Sequence, residues 1–255
     1  MNDAHSDPAA PPRPLPTRYR IDTLVVALSD GWRLYVATFA VSSAYAALFA
    51  VFGYALIAAL AHIGLSPMAW ALIGGFLLVG PALLAGFFGI ARGHRARGVA
   101  GPRDVIAGFR TAPAGLVGLS AVCLLLFVIW LTDAGILYSF MVGGTGKGWP
   151  DLLPHSAELL RFQLGTTVMG GFFAVIVFSV SAYSVPLLLE RRAGLVVAVA
   201  ASVRAVFGSP LASLAWSLSL GAGILLATLL PPSLIVVLPW FAYASEALYR
   251  RVFPT

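Results

Sequence analysis

Charge is scarce in this chain. Asp, Glu, Lys and Arg together make up 10% of its 255 residues, against roughly 25% in soluble domains, which excludes an ordinary water-soluble fold. Cysteine is reduced to Cys123, so an internal disulfide and a cysteine-based zinc site are excluded as well. Histidine occurs at four positions only, His5, His62, His94 and His155, and none falls in the middle of an apolar run. A haem or copper centre in a helical bundle needs facing histidines well inside the spans, so a haem–copper catalytic core is excluded. Lysine is confined to Lys147. With no nucleophile–base set, metal cluster or nucleotide loop, the chain reads as a non-enzyme that binds no cofactor.

What the chain has instead is hydrophobic length. Hydrophobic residues make up 60% of it and its mean hydropathy is +0.92. Six apolar runs approach or exceed the roughly 20 residues that cross a bilayer: about 35–61, 68–91, 113–142, 162–189, 210–230 and 233–248. The expected fold is all-α, a polytopic membrane protein of six transmembrane helices over residues 21–251. Residues 1–20 hold five prolines and no apolar run, and read as a disordered, solvated tail rather than a signal peptide.

The positive charges orient this arrangement. Fourteen of the sixteen Lys+Arg residues fall on one side of a six-span topology, with Lys147 and Arg161 on the other. Cationic loops stay on the cytoplasmic side during insertion, which places both termini there; fifteen arginines to one lysine point to a GC-rich bacterial genome and so to a bacterial inner membrane. The formal charge of +6 resides in short clusters flanking the spans, where anionic headgroups, not nucleic acid, are the partner.

A threefold pattern underlies the six runs. Each pair of spans follows a short amphipathic stretch. In the first, Ile21, Leu24, Val25, Leu28, Trp32 and Tyr35 share a face, with Asp22, Ser29, Asp30 and Arg33 opposite. The second, Pro102–Thr111, sets Val105, Ile106 and Phe109 against Arg103, Asp104 and Arg110, and the third is Leu195–Phe207. Such helices lie in the headgroup plane. The second span of each pair carries a proline, Pro81, Pro186 or Pro239, followed by a basic stop. The expected architecture is three repeated units of amphipathic helix plus transmembrane hairpin. Ala82…Gly86, Gly170…Ala174 and Ser217…Gly221 have the small-residue spacing that lets helices approach closely.

Asp133 is the ionisable residue placed within a span, the usual pointer to function in a membrane. Asp133 and Arg161 lie equally far from the middle of the third-to-fourth connection, so the two form a candidate intramembrane ion pair. Glu190 and Glu246 sit beside arginines at cytoplasmic ends, where snorkelling suffices. The loop Gly143-Gly-Thr-Gly-Lys-Gly148 lacks the Ser or Thr after its lysine that a phosphate loop requires, and is read as a flexible turn.

The stretch Phe178-Ser-Val-Ser-Ala-Tyr-Ser-Val-Pro186-Leu-Leu-Leu-Glu-Arg-Arg, with Gly80-Pro81-Ala-Leu-Leu-Ala-Gly86 and Val237-Leu-Pro239-Trp-Phe-Ala-Tyr243, resembles a family of uncharacterised bacterial integral membrane proteins. The resemblance runs over roughly residues 21–251. Some members of that family carry a provisional cytochrome c oxidase subunit label, which the histidine positions restrict to an accessory role at most. The family supplies no catalytic residues. The expected function is a non-catalytic structural or accessory component of a membrane assembly, with the lipid bilayer and a membrane-protein partner or a second copy as its contacts. The alternative is a transporter or channel for a small or lipid-like solute.

Overall fold

The computed structural model describes residues 14–143 and 156–254, with the side chains of residues 75–79, 82, 229 and 231 set aside. Residues 1–13 of the tail, Lys147, His155 and the outer-loop glycines after Gly143 lie outside the described residues.

Among those residues the fold is entirely helical. Helix α1 (Ile21–Ala37) runs into α2 (Phe39–His62) with only Thr38 between them, and a 3-10 turn at Ser66–Met68 leads into α3 (Ala69–Arg97). Then come α4 (Pro102–Arg110), α5 (Ala114–Met141), α6 (Ala157–Ser181), α7 (Ser184–Leu189), α8 (Leu195–Gly208), α9 (Pro210–Leu229) and α10 (Leu234–Val252). The three amphipathic stretches are α1, α4 and α8. Tyr35, expected at the start of the first span, belongs to α1.

The fourth apolar run is divided, and Pro186 explains the division. Its ring would strike the carbonyl of Ala182, four residues back, and it has no N–H for that carbonyl. The helix therefore stops at Ser181 and restarts at Ser184, where Pro186 sits in a first turn that needs no such bond. Pro81 and Pro239 stay inside continuous helices.

Four stretches are long and apolar enough to cross a membrane: Phe39–His62, Ala114–Met141, Ala157–Leu189 (α6 and α7 together) and Pro210–Thr228. Helix α3 has 29 residues and α10 has 19, and both finish in basic turns. Large apolar side chains such as Phe52, Leu125, Val168 and Leu218 cover the outside of the four stretches, as a lipid-facing surface requires. The interior is filled by aromatics and small residues. Tyr45 and Phe87 meet edge-on at 4.7 Å, and Phe87 meets Tyr243 at 5.9 Å.

Each amphipathic helix packs on a particular neighbour: α1 on α10, α4 on α3, and α8 on α6 and α7. The faces they use differ from the apolar faces read from sequence. Helix α1 buries Leu24, Ala27, Gly31 and Tyr35, while Ile21, Val25 and Trp32 stay exposed. Close approach decides this, because a Cβ on Gly31 would fall 2.5 Å from the backbone nitrogen of Ala244. Helix α4 buries Asp104 and Gly108 and leaves Ile106 and Phe109 exposed. Its glycine seats against Ala85 and Gly89 of α3.

The small-residue pattern is corrected accordingly. On α3, Gly86 admits the Tyr45 ring of α2, and the stripe Ala85, Gly89 and Gly93, not read from the sequence, admits α4. Gly170 does admit Trp130 of α5, at 2.9 Å from where its Cβ would be, whereas Gly221 faces open space.

The tail boundary also moves. Residues 14–20 are extended but fixed: the Thr17 N–H donates to Val252 O at 2.8 Å, and the Tyr19 N–H to Ser209 Oγ at 3.0 Å. Tyr19 is buried, its hydroxyl 2.6 Å from Ser213 Oγ and its ring edge-on to Tyr183. Hydrogen bonds to α10 and α9 outweigh the extended, solvated habit that proline imposes on this segment.

Candidate functional site at the basic end

The residues with chemistry to offer collect where α3, α7 and α10 end. Glu246 is placed by α10 nearly two turns before its end, on the face that carries Tyr243, and its side chain is 6% exposed. Its Oε1 accepts from Arg95 of α3 and, at 3.2 Å, from Arg250 one turn further along α10. Arg250 also donates to Glu190 at the end of α7, which accepts a hydrogen bond from the Tyr249 hydroxyl at 2.8 Å. Arg192 donates to the Tyr249 hydroxyl and to the carbonyls of Phe253 and Pro254, at 3.2, 2.8 and 3.1 Å.

Arg251 reaches across to Asp30 of α1. Arg97, in the last turn of α3, pairs with Asp104 of α4. That guanidinium holds the Asp104 carboxyl below its ordinary value. Burial opposes the shift, while the Gly101 N–H, donating at 2.9 Å, and the Arg97 charge add to it. Five helices are thus tied at one end by carboxylates and arginines. Two polar atoms there, Glu246 Oε2 and His94 Nδ1, are buried without a partner.

Glu246 does not snorkel, as its place beside Arg250 led us to expect, but is enclosed between α3 and α10, and His94 lies in the last turn of α3. No local signal exposes the pairing, since Arg95 and Glu246 are 151 residues apart. The available clue was an acid inside the shortest apolar run.

The turn that presents Glu190 and Arg192 is strained. Helix α7 ends with the Arg191 N–H donating to Leu188 O and the Arg192 N–H to Leu187 O. This ending needs a left-handed residue, normally glycine, and Arg191 fills it with φ 55°. Replacing Arg191 by glycine removes a penalty of about 1 kcal/mol. Arg191→Gly is therefore expected to raise the thermal midpoint in detergent, and an unchanged or lowered midpoint would show that the exposed guanidinium contributes more than the strain costs.

The residues singled out in the spans are placed as follows. Asp133 is half-buried on α5 and Arg161 is exposed on α6. The ion pairs among the described residues include none between them, so the two charges are not brought together. The α5–α6 contact at that level is made by Tyr138 on Phe162, rings 5.4 Å apart, and by Leu137 beside Gly165. Arg161 lies one turn from Glu158, whose carboxylate feels its charge. Pro81, Pro186 and Pro239 are all buried, one on each of the helices whose ends meet at the basic network. No group of three or more His, Cys, Asp or Glu side chains suited to a metal occurs among the described residues.

Residues 68–190 match the family model described as a predicted integral membrane protein (DUF2189), a family of unknown function. The match begins at the 3-10 turn before α3 and ends at Glu190, so it takes in Pro81, Arg95, Asp104 and Pro186 but not Glu246. Comparison with the curated proteins and with the solved structures gave no match.

Proposed function

We propose that this chain is a six-span protein of a bacterial inner membrane with both termini in the cytoplasm, acting without catalysis as a structural or accessory component of a membrane assembly. The observation that carries this reading is the use made of its buried charge. Glu246 is held between Arg95 and Arg250, tying α3 to α10 where a pathway would need a mobile or open polar group. Apolar helices associate in a membrane by van der Waals packing without chemistry, and α2, α5, α6 and α9 present large apolar side chains on their outer faces for such packing.

Six crossings follow if α3 and α10 join the four apolar stretches. Both are of span length. Their basic ends share the ion-pair network with the end of α7, which puts three cationic ends on one face. A threefold repeat is supported by the order of packing. Each amphipathic helix rests on the second span of the preceding unit: α4 on α3, α8 on α6 and α7, and α1 on α10 to close the ring. Two of the three contacts carry the same ion pair, an aspartate of the amphipathic helix with an arginine ending the span, Asp104–Arg97 and Asp30–Arg251.

The transporter reading draws on Pro81 and Pro239, which remove backbone hydrogen bonds inside helices that can bend there, and on the break before Pro186. One experiment separates the two readings. Protein purified in mild detergent is expected to retain a membrane partner or a defined oligomer and to add no solute flux to liposomes. A lone monomer that drives selective flux would replace the accessory reading with the transporter one.

A further inference from the structure

Helix α4 offers a surface that its sequence conceals. By sequence its charges, Arg103, Asp104 and Arg110, form one mixed polar face. The structure separates them. Asp104 turns inward, 8% exposed, against Gly93 of α3, and is neutralised by Arg97. Arg103 and Arg110 remain exposed, and no ion pair among the described residues includes either. They lie seven residues apart, about 10 Å along the same side of the helix. The neighbouring part of the exposed side is apolar, with Ile106 56% and Phe109 44% exposed. The Phe109 ring approaches Tyr45 of α2, one of the stretches apolar enough to cross the membrane, so the apolar flank points along the bundle toward the hydrocarbon.

We propose that this face of α4 is a binding site for an anionic phospholipid, with Arg103 and Arg110 on the headgroup phosphate and Ile106 and Phe109 against the acyl chains. It rests on the reading that the chain is membrane-embedded with α4 at the interface, and on nothing in the accessory role. Charge and apolarity side by side select the occupant: a free phosphate would leave Ile106 and Phe109 uncovered, and the phosphate of a zwitterionic lipid is already offset by its own cation, so two arginines favour a headgroup of net negative charge. The site is prebuilt, because α4 is locked to α3 through Gly89 and Gly108 and its acid is withdrawn from the surface. A helix carrying basic and apolar strips of this kind lies at the headgroup boundary, where each arginine adds to the attraction of anionic lipid.

The test uses the full chain in nanodiscs of pure phosphatidylcholine, into which phosphatidylglycerol is titrated while the thermal midpoint is read. The wild type is expected to gain stability at low phosphatidylglycerol content. Arg103→Gln/Arg110→Gln should melt with the wild type in pure phosphatidylcholine and require roughly thirtyfold more phosphatidylglycerol for the same gain, which is about 2 kcal/mol at 1.4 kcal/mol per factor of ten. Arg103→Lys/Arg110→Lys keeps the charge and should recover most of the response, which covers the case of a poorly folded glutamine variant. A glutamine variant that responds like the wild type overturns the proposal. So does inorganic phosphate alone reproducing the gain in phosphatidylcholine, since the ligand would then be a free anion. Failure to enter nanodiscs would instead overturn the membrane reading beneath it.

Discussion

Removing Arg95 and Arg250 together, with Glu246 left in place, is expected to be the most damaging change at the basic end, lowering stability by about 3–5 kcal/mol. The expectation follows from unequal exposure within the triad. The Glu246 side chain is 6% exposed, against 39% for Arg95 and 44% for Arg250. Either arginine released from the pair can turn to water, but the carboxylate cannot. Losing one arginine leaves Glu246 a partner, so each single alanine variant should cost much less than the double. Adding Glu246→Gln to the double variant should restore most of the loss, because the uncompensated charge is what costs energy and not the missing contacts. Thermal unfolding in one detergent measures all four proteins. A double variant that melts with the wild type, or a triple variant no better than the double, would show that the network does not hold the bundle.

The second large effect is expected where α4 crosses α3. Gly89→Ala puts a methyl group against the carbonyl oxygen of Asp104, far inside van der Waals contact with a backbone atom. No rotamer relieves that clash, so the two helices must move apart and the Arg97–Asp104 pair must stretch. Overpacking of this kind costs about 1–3 kcal/mol and sometimes more. Gly108→Ala meets the carbonyl of Ala85 from the other side and should behave alike. Gly221→Ala is the contrast, since its added methyl group meets nothing within 4 Å and alanine is the better helix former. Gly89→Ala and Gly108→Ala should therefore lower the thermal midpoint while Gly221→Ala leaves it level or raises it. Equal midpoints for all three would mean that the helices are not in the close contact described.

Helix existence and most boundaries were legible in the sequence because apolar length and basic stops are local signals. The ends of α2, α3, α5 and α9 fall within a few residues of the runs that hydropathy defines, apart from the basic last turns of α3. The break before Pro186 does not show in the sequence, where residues 162–189 read as one span; Pro81 and Pro239 sit inside unbroken helices, so a proline alone does not decide it. Partners were not legible. Periodicity marked Ile21, Val25, Ile106 and Phe109 as the apolar, membrane-facing sides of α1 and α4, and they are exposed, but it did not indicate which residues meet the neighbouring helices. In a membrane the large apolar side can be the lipid side, while helices meet through Gly31, Gly89 and Gly108 because only there can backbones approach. Asp133 and Arg161 illustrate the second limit. Equal distance from a loop centre constrains depth but not rotation about each helix axis, so spacing alone could not decide whether the two side chains meet. Glu246 found its partner 151 residues away, and no pattern within one helix could indicate it.

Side-specific labelling of single cysteines tests the central claim, six crossings with the basic network inside the cell. The native Cys123 is 1% exposed and can be replaced by serine to leave a silent background. Ile63→Cys and Leu230→Cys mark the turns at the ends of α2 and α9, and Val99→Cys and Gly194→Cys mark the turns before α4 and α8, all exposed positions. In intact cells a membrane-impermeant maleimide is expected to label Ile63→Cys and Leu230→Cys and to spare Val99→Cys and Gly194→Cys until the membrane is opened. Labelling of Ile63→Cys and Val99→Cys from the same side would contradict the account, because α3 would then not cross the membrane and its end could not share a cytoplasmic network with α10.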